Sequence, residues 1–152
     1  MATGLLNGTD LLLKVGTTDS NEVIVAYSTS CSLELSMDEI DQTNKDSGGW
    51  KSIIGGLRSW SVSCEALYQN EAVSSKKAFH DFWEHIGNVT LGRTPVTIEL
   101  TIAGASNADA NYFYSGSAYV TSLSVNGGTE DQSTFSISLT GSGALAETPV
   151  PA

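Results

Sequence analysis

Hydrophobic and polar residues alternate with a period of two in several stretches of this chain, which predicts β-strands with one buried face. In the stretch 22–37 the second half has an apolar side made of Cys31, Leu33, Leu35 and Met37. Its polar side is made of Ser30, Ser32, Glu34 and Ser36. In the stretch 57–68 the apolar side is made of Trp60, Val62, Cys64 and Ala66, and the polar side of Ser59, Ser61, Ser63 and Glu65. A serine-rich strand face of this kind indicates contact with water or with a solvated channel.

The same alternation predicts further strands at 10–15 and 96–102 and a closing hairpin with strands at 119–125 and 134–140. The sequence Asn126-Gly127-Gly128 between the last two predicts a tight turn. In the final strand the outward side is made of Thr134, Ser136, Ser138 and Thr140. Residues 103–111 are rich in Gly, Ala, Asn and Asp and are predicted to form a loop.

Residues 74–86 have the period of an amphipathic helix instead. The apolar stripe consists of Ala78, Phe79, Phe82, Trp83 and Ile86. Ser74 is suited to cap the N-terminus, and Gly87 follows where glycine commonly ends a helix. The stripe predicts a helix that packs on a sheet.

A long connection at 38–56 separates the two serine-rich strands. It is much longer than a usual hairpin loop, and such long loops are usually functional or disordered. Trp50, Ile53 and Ile54 argue against plain disorder, because large apolar side chains need a surface to bury against.

Taken together, these elements predict a mainly β fold. We expect a two-sheet β-sandwich or partly closed barrel with one flanking α-helix over residues 1–145, followed by a flexible tail at 146–152. A chain of 152 residues is long enough for one domain with its own hydrophobic core.

The charge balance disfavours several classes of partner. There are 17 acidic and 7 basic residues, for a formal net charge of −10, which disfavours ordinary nucleic-acid binding and docking on anionic lipid.

No apolar run approaches the ~20 residues that span a bilayer, and the first residues do not resemble a signal peptide. We therefore expect a reducing compartment, with Cys31 and Cys64 as buried thiols and a disulfide between neighbouring strands as the alternative.

No pattern in the sequence predicts catalytic, metal-binding or cofactor-binding residues, and we do not expect an enzyme. The two histidines, His80 and His85, are five residues apart on the helix and do not share a face, so with Glu84 they do not form a zinc motif. Glu34, Glu65 and Glu99 lie on polar strand faces, where solvated residues are a better interpretation than a pair of catalytic carboxylates.

Three segments resemble a known family. They are residues 7–13 (NGTDLLL), residues 44–50 with 56–63 (NKDSGGW and GLRSWSVS), and residues 116–125 with 134–145 (GSAYVTSLSV and TFSISLTGSGAL). In their order along the chain they are similar to the major tail tube proteins of long, non-contractile phage tails. Related alternatives are the inner tube of a contractile tail, of a gene-transfer particle or of a secretion-type injection machine; a carbohydrate-binding β-sandwich is a more distant one.

The resemblance implies a virion protein that assembles in the host cytoplasm as hexameric rings stacked into a hollow tube. One sheet of each subunit would join a continuous inner barrel around the DNA, which passes without specific binding, and the loop at 38–56 would reach the adjacent ring. The implied partners are further copies of the chain and the tape-measure, terminator and distal tail proteins. No cofactor and no membrane are implied.

Candidate residues follow from combining the resemblance with the strand pattern. Those expected to face the lumen are Ser32, Glu34, Ser61, Ser63 and Glu65, with a position of the two glutamates toward outside solvent as the alternative. Those expected to contact the next ring are Lys45, Asp46, Trp50, Ile53 and Ile54. For the three apolar members, folding back over the core of their own subunit is an equal alternative.

Overall fold

The computed structural model describes residues 11–16, 23–69, 76–88, 90–102 and 112–149. Within them, the strands are β1 Leu11–Gly16, β2 Val23–Ile24, β3 Ser28–Asp41, β4 Ile53–Leu67, β5 Val96–Ile102, β6 Tyr112–Asn126 and β7 Thr134–Pro149. The α-helix is α1 Phe79–Gly87, and short 3-10 turns occur at Lys45–Ser47 and Leu91–Arg93. The predicted mainly β fold with one flanking helix is confirmed.

All seven strands join one antiparallel sheet in the order β2-β1-β5-β6-β7-β4-β3. The sheet bends into two layers, because β6 and β7 are long enough to run through both. In the first layer β1 and β2 adjoin β5, which pairs with β6 up to Ala118. In the second layer β7 pairs with β4, and β4 with β3. At the open side β1 and β3 form no ladder, so the sheet is not closed into a barrel.

The hydrophobic core lies between the layers. Buried members from the two sides are Leu13, Val15, Ile98, Leu100, Val62, Cys64, Ile137 and Leu139. Helix α1 closes one end of the core, where Phe82 and Phe79 pack against Phe135 with ring centroids 6.4 and 5.9 Å apart. Burying each such side chain contributes about 1.5–3 kcal/mol relative to leaving it exposed.

Trp60 marks the point where β4 and β7 separate. The two strands pair from Leu67↔Thr134 to Ser61↔Thr140 and no further. Trp60 is 5% exposed and fills the space at the fork, where its indole Nε1 donates a hydrogen bond of 2.9 Å to the carbonyl oxygen of Gly143. Beyond this point β3 and β4 continue alone as a two-stranded hairpin.

The helix begins later than the predicted 74–86, and Ser74 lies outside the described residues. Lys77 is held in extended backbone by a bridge to Val25, in which Ala26 N–H donates to Lys77 O (2.7 Å) and Lys77 N–H donates to Ile24 O (3.0 Å). The helix therefore starts at Phe79, and the Asp81 carboxylate accepts a hydrogen bond from the Ala78 N–H at 2.9 Å. Trp83 and Ile86 of the predicted stripe remain exposed.

The ends of several strands differ from the positions that the sequence pattern predicts. The loop predicted at 38–56 is shorter, since β3 extends to Asp41 and β4 starts at Ile53. The predicted tight turn at Asn126 is a seven-residue connection at 127–133. Strand β7 continues to Pro149, beyond the predicted domain boundary at 145, because it remains paired with β6. The loop predicted at 103–111 lies outside the described residues.

Candidate functional surfaces: a hydroxyl face and an apolar arm

The outward side of the second layer is almost entirely hydroxyl groups. We call it the hydroxyl face, and it consists of Ser30, Ser32, Glu34, Ser36, Ser59, Ser61, Ser63, Glu65, Thr121, Ser122, Ser124, Ser136, Ser138 and Thr140. Strand register places these side chains in rows across four strands, for example Ser32, Ser63, Ser138 and Ser122. The face arises because the four strands share one alternation and pair in one register.

Hydrogen bonds link the rows between neighbouring strands. The Oγ atoms of Ser32 and Ser63 are 2.7 Å apart, and those of Ser36 and Ser59 are 2.8 Å apart. Thr140 Oγ1 donates to Thr121 Oγ1 at 3.2 Å. Each hydroxyl has both a donor and lone pairs, so these contacts leave capacity for water at the surface.

The electrostatic character of this face is neutral to negative. Glu34 and Glu65 are its charged groups, and none of the seven cations of the chain lies on it. Those cations are Lys14, Lys45, Lys51, Arg58, Lys76, Lys77 and Arg93. Lys14 lies on the first layer, where its Nζ is 2.5 Å from Oε1 of Glu99. Arg58 lies opposite Met37, on the apolar side of the β3–β4 pair.

The second surface is the hairpin beyond Trp60, residues 36–59, which we call the arm. Among the described residues its strands pair only with each other, down to Asp41↔Ile53. It carries exposed apolar side chains on both faces, and Leu35 is exposed at its base. The exposed apolar residues of the arm are Met37, Ile40, Trp50, Ile53, Ile54 and Leu57. A two-stranded ribbon with this much exposed apolar surface is marginal alone and typical of a contact site.

The tip of the arm is ordered by its own hydrogen bonds. Asn44 Oδ1 accepts from the Asp46 N–H (2.8 Å), and Ser47 Oγ accepts from the Asn44 N–H (3.1 Å), which closes a capping box. Asp41 Oδ1 accepts from the Thr43 N–H at 2.8 Å. The hydrogen bonds from the Thr43 side chain and backbone hold the pKa of Asp41 below its usual value. The tip therefore presents Trp50 from a defined loop.

The five predicted lumen residues, Ser32, Glu34, Ser61, Ser63 and Glu65, all lie together on the hydroxyl face. The predicted contact residues Lys45, Asp46 and Trp50 lie in the tip, while Ile53 and Ile54 lie on opposite faces of the arm. Trp50 is 82% exposed and the two isoleucines are about half exposed, so they do not fold back over the core.

Sequence reasoning missed part of both surfaces. It did not predict that the hydroxyl groups of β6 and β7 lie on one face with those of β3 and β4, although β7 shows the same alternation. It also did not identify Met37, Ile40 and Leu57 as arm residues. The pattern places Met37 on a buried strand face, Ile40 in a loop and Leu57 at the end of a strand.

Within the part of the chain that the structure describes, the geometry defines a β-protein with a hydroxyl-rich face, an arm with exposed apolar side chains, and strand edges that pair with no further strand. Among the described residues, no helix is long and apolar enough to cross a membrane. The described residues also contain no cluster of three or more potential metal ligands.

Comparison with protein families identifies the chain. A model described as phage tail tube protein matches residues 5–147, so the chain belongs to the phage tail tube protein family. It is therefore a structural subunit of a phage tail tube and a component of the virion tail. No curated protein sequence matches the chain.

Solved structures share the fold. The tail of an empty gene transfer agent particle with C6 symmetry is 22% identical, with a TM-score of 0.73 over 95% of this chain and 99% of that one. A chain of the native gene transfer agent virion is 21% identical, with a TM-score of 0.70 and the same coverage. The SPP1 tail tube is 12% identical, with a TM-score of 0.71 over 97% of this chain and 81% of that one.

Proposed function

We propose that six copies of this chain form a ring, that rings stack into a hollow tube, and that DNA passes through a bore lined by the hydroxyl face. The observation that carries the proposal is the hydroxyl face itself, which spans four strands and has no cation. The C6 symmetry of the structurally similar gene transfer agent tail supports the ring size. The role is passive, and no catalysis is involved.

Ring closure would use the two free edges of the second layer. Within the described residues β3 pairs only with β4, and beyond Ala118 the only strand that pairs with β6 is β7, so the other edge of β6 is free. Unpaired edges expose backbone N–H and C=O groups that seek partners. Pairing β3 of one copy with β6 of the next satisfies both edges, and a closed ring leaves none free.

The size of such a ring fits its task. Four strands from each of six copies give about 24 strands, which at ~4.8 Å spacing and ~40° tilt form a barrel with a backbone radius of about 24 Å. Inward side chains then leave a bore ~35 Å across, wide enough for one hydrated DNA duplex. A smaller ring of three copies would halve the radius and exclude the duplex.

The chemistry of the bore would keep DNA mobile. Nucleic-acid affinity comes mainly from Lys and Arg on phosphates, and the face has neither. Glu34 and Glu65, two per subunit, would repel phosphate, while Ser32, Ser61 and Ser63 hold water. The duplex would move along the bore without specific binding.

Stacking would use the arm. It projects from the layers as a two-stranded ribbon, and Trp50, Ile53 and Ile54 would be buried on the adjacent ring, with Lys45 and Asp46 at the rim. Exposed rim charges contribute little, so the apolar side chains would supply most of the binding free energy.

Other tail proteins would set the length of the tube. Head-to-tail stacking does not terminate by itself, so tape-measure, terminator and distal tail proteins are the expected partners at its ends.

The family match favours a phage tail over the inner tube of a contractile tail, gene-transfer particle or injection machine. A carbohydrate site would need clustered exposed aromatics on a strand face. Instead Trp60 is buried, Trp50 lies in the arm tip, and Trp83 lies on the helix.

Electron microscopy of the purified chain at rising concentration tests the proposal. We expect hollow tubes built from sixfold rings, with the Ser32 to Ser63 row at the inner wall in a reconstruction. Solid fibres, or tubes with the hydroxyl face outside, would contradict it.

A further inference from the structure

Cys31 and Cys64 are brought together by strand register. They are directly opposite each other on β3 and β4, their Sγ atoms are 2.9 Å apart, and both are free thiols. Residues opposite each other in antiparallel strands have Cα atoms ~4.5–5.5 Å apart. This range falls within the ~4.4–6.8 Å that a disulfide requires, so closure needs only a small approach of the two sulfurs.

The surroundings of the two thiols differ. Cys31 is half-buried on an edge strand, whereas Cys64 is buried. The Cys64 thiol and the backbone of Leu13 donate hydrogen bonds that lower the pKa of Cys31. The hydrogen bond to Cys31, followed by burial, raises the pKa of Cys64 well above the usual value. Cys31 is therefore the more accessible sulfur and the one that ionises first.

We propose that Cys31 and Cys64 are a dithiol pair that closes to an intrachain disulfide when the protein passes from a reducing to an oxidising medium. Subunits made in a reducing cytoplasm would carry thiols, and released virions meet oxidising conditions. The reaction concerns the folded chain alone and does not depend on ring assembly.

A small-molecule disulfide such as oxidised glutathione is a sufficient oxidant. The Cys31 thiolate attacks one sulfur of the reagent, the S–S bond of the reagent breaks, and one glutathione thiolate leaves. Cys64 gives its proton to a departing thiolate and attacks the Cys31 sulfur of the mixed disulfide, expelling the second glutathione. The two cysteines lose two electrons in total, and the reagent is reduced to two thiols.

The new bond would tie the edge strand β3 to β4 near the base of the arm. It closes a loop between positions 33 residues apart, which contains the whole arm. Restricting the unfolded chain in this way stabilises the folded state. We expect the oxidised form to unfold about 5–10 °C above the reduced form.

Mass spectrometry under denaturing, non-reducing conditions tests the proposal on the purified chain after incubation with oxidised glutathione. We expect a mass decrease of about 2 Da, for the two hydrogens lost on forming the S–S bond, and no subsequent labelling by a maleimide. The reduced chain takes up two maleimides when unfolded. Retention of both thiols, a stable glutathione adduct on the unaltered chain, or crosslinks between chains would each overturn the proposal.

Single variants separate the roles of the two sulfurs. Cys64→Ser should accumulate a glutathione adduct at Cys31, since no resolving thiol remains, and Cys31→Ser should react slowly because Cys64 is buried. Equal adduct formation in both variants would contradict the assigned order of attack. If either variant does not fold, the mass change of the unaltered chain still decides the main point. None of these readings requires tubes, so a negative result leaves the proposed function untouched.

Discussion

At the residue scale, the packing of the Trp60 side chain depends on glycines that are far away in the sequence. Its ring fills the fork between β4 and β7 because Gly116 and Gly141 have no side chains, and a Cβ built on Gly141 overlaps the indole. The strand pattern places Trp60 correctly on the buried face. It does not reveal the glycines, since they are 56 and 81 positions away along the chain.

Gly141→Ala should therefore destabilise the chain by about 1–3 kcal/mol through overpacking against the indole. Urea unfolding of the free subunit measures this cost. In a chain that also carries Trp60→Val, the added methyl has room, so the cost of Gly141→Ala should fall by ~1 kcal/mol or more. An unchanged cost in that background would show that the indole is not the cause.

The arm is the element for which the prediction from the sequence and the structure differ most. The pattern predicts a loop at 38–56, but both strands continue into this region and only 42–52 connects them. By its alternation Met37 looks like an ordinary core position of a strand. It is exposed because β7 no longer accompanies β4 beyond Trp60, which local periodicity cannot indicate.

Trp50→Ala tests the arm as a contact element. Trp50 is largely exposed, so the urea midpoint of the free subunit should stay nearly unchanged. If the indole is buried on the next ring, the concentration needed for tube formation should rise about tenfold or more.

Trp83→Ala is the matched control, because Trp83 is also largely exposed but lies on α1. It should leave the assembly concentration close to that of the unaltered chain. Normal polymerisation by Trp50→Ala, monitored by light scattering and microscopy, would remove Trp50 from the proposed contact.

At the scale of the whole molecule, the decisive feature is the separation of charge from the hydroxyl face. All the cations lie elsewhere, on the arm, near the helix or on the first layer. The net charge of −10 disfavours DNA binding in general. Only the folded arrangement shows that one face four strands wide has no cation.

Ser63→Lys tests which side faces the bore. Tubes assembled with short duplex DNA should then retain DNA that is protected from nuclease, at about tenfold the level of unaltered tubes, and release it at high salt. Ser117→Lys, on the outward side of the first layer, is the control and should bind DNA only where nuclease can reach it. Protected DNA with Ser117→Lys but not with Ser63→Lys would place the bore on the other layer.

The sequence by itself determined what depends on neighbouring residues. The period of two in β3, β4 and β7 and the helical period around Phe82 are local patterns, so they predict the faces of each element without knowledge of its neighbours. The mainly β class and the serine-rich strand faces follow from them.

Tertiary structure decided what depends on residues far apart in the chain. The adjacency of β4 and β7, the fork at Trp60, the exposure of the arm and the opposition of Cys31 and Cys64 all require strand pairing and register. Many pairings are compatible with the same alternation, and only simultaneous packing of all the strands around one core selects among them.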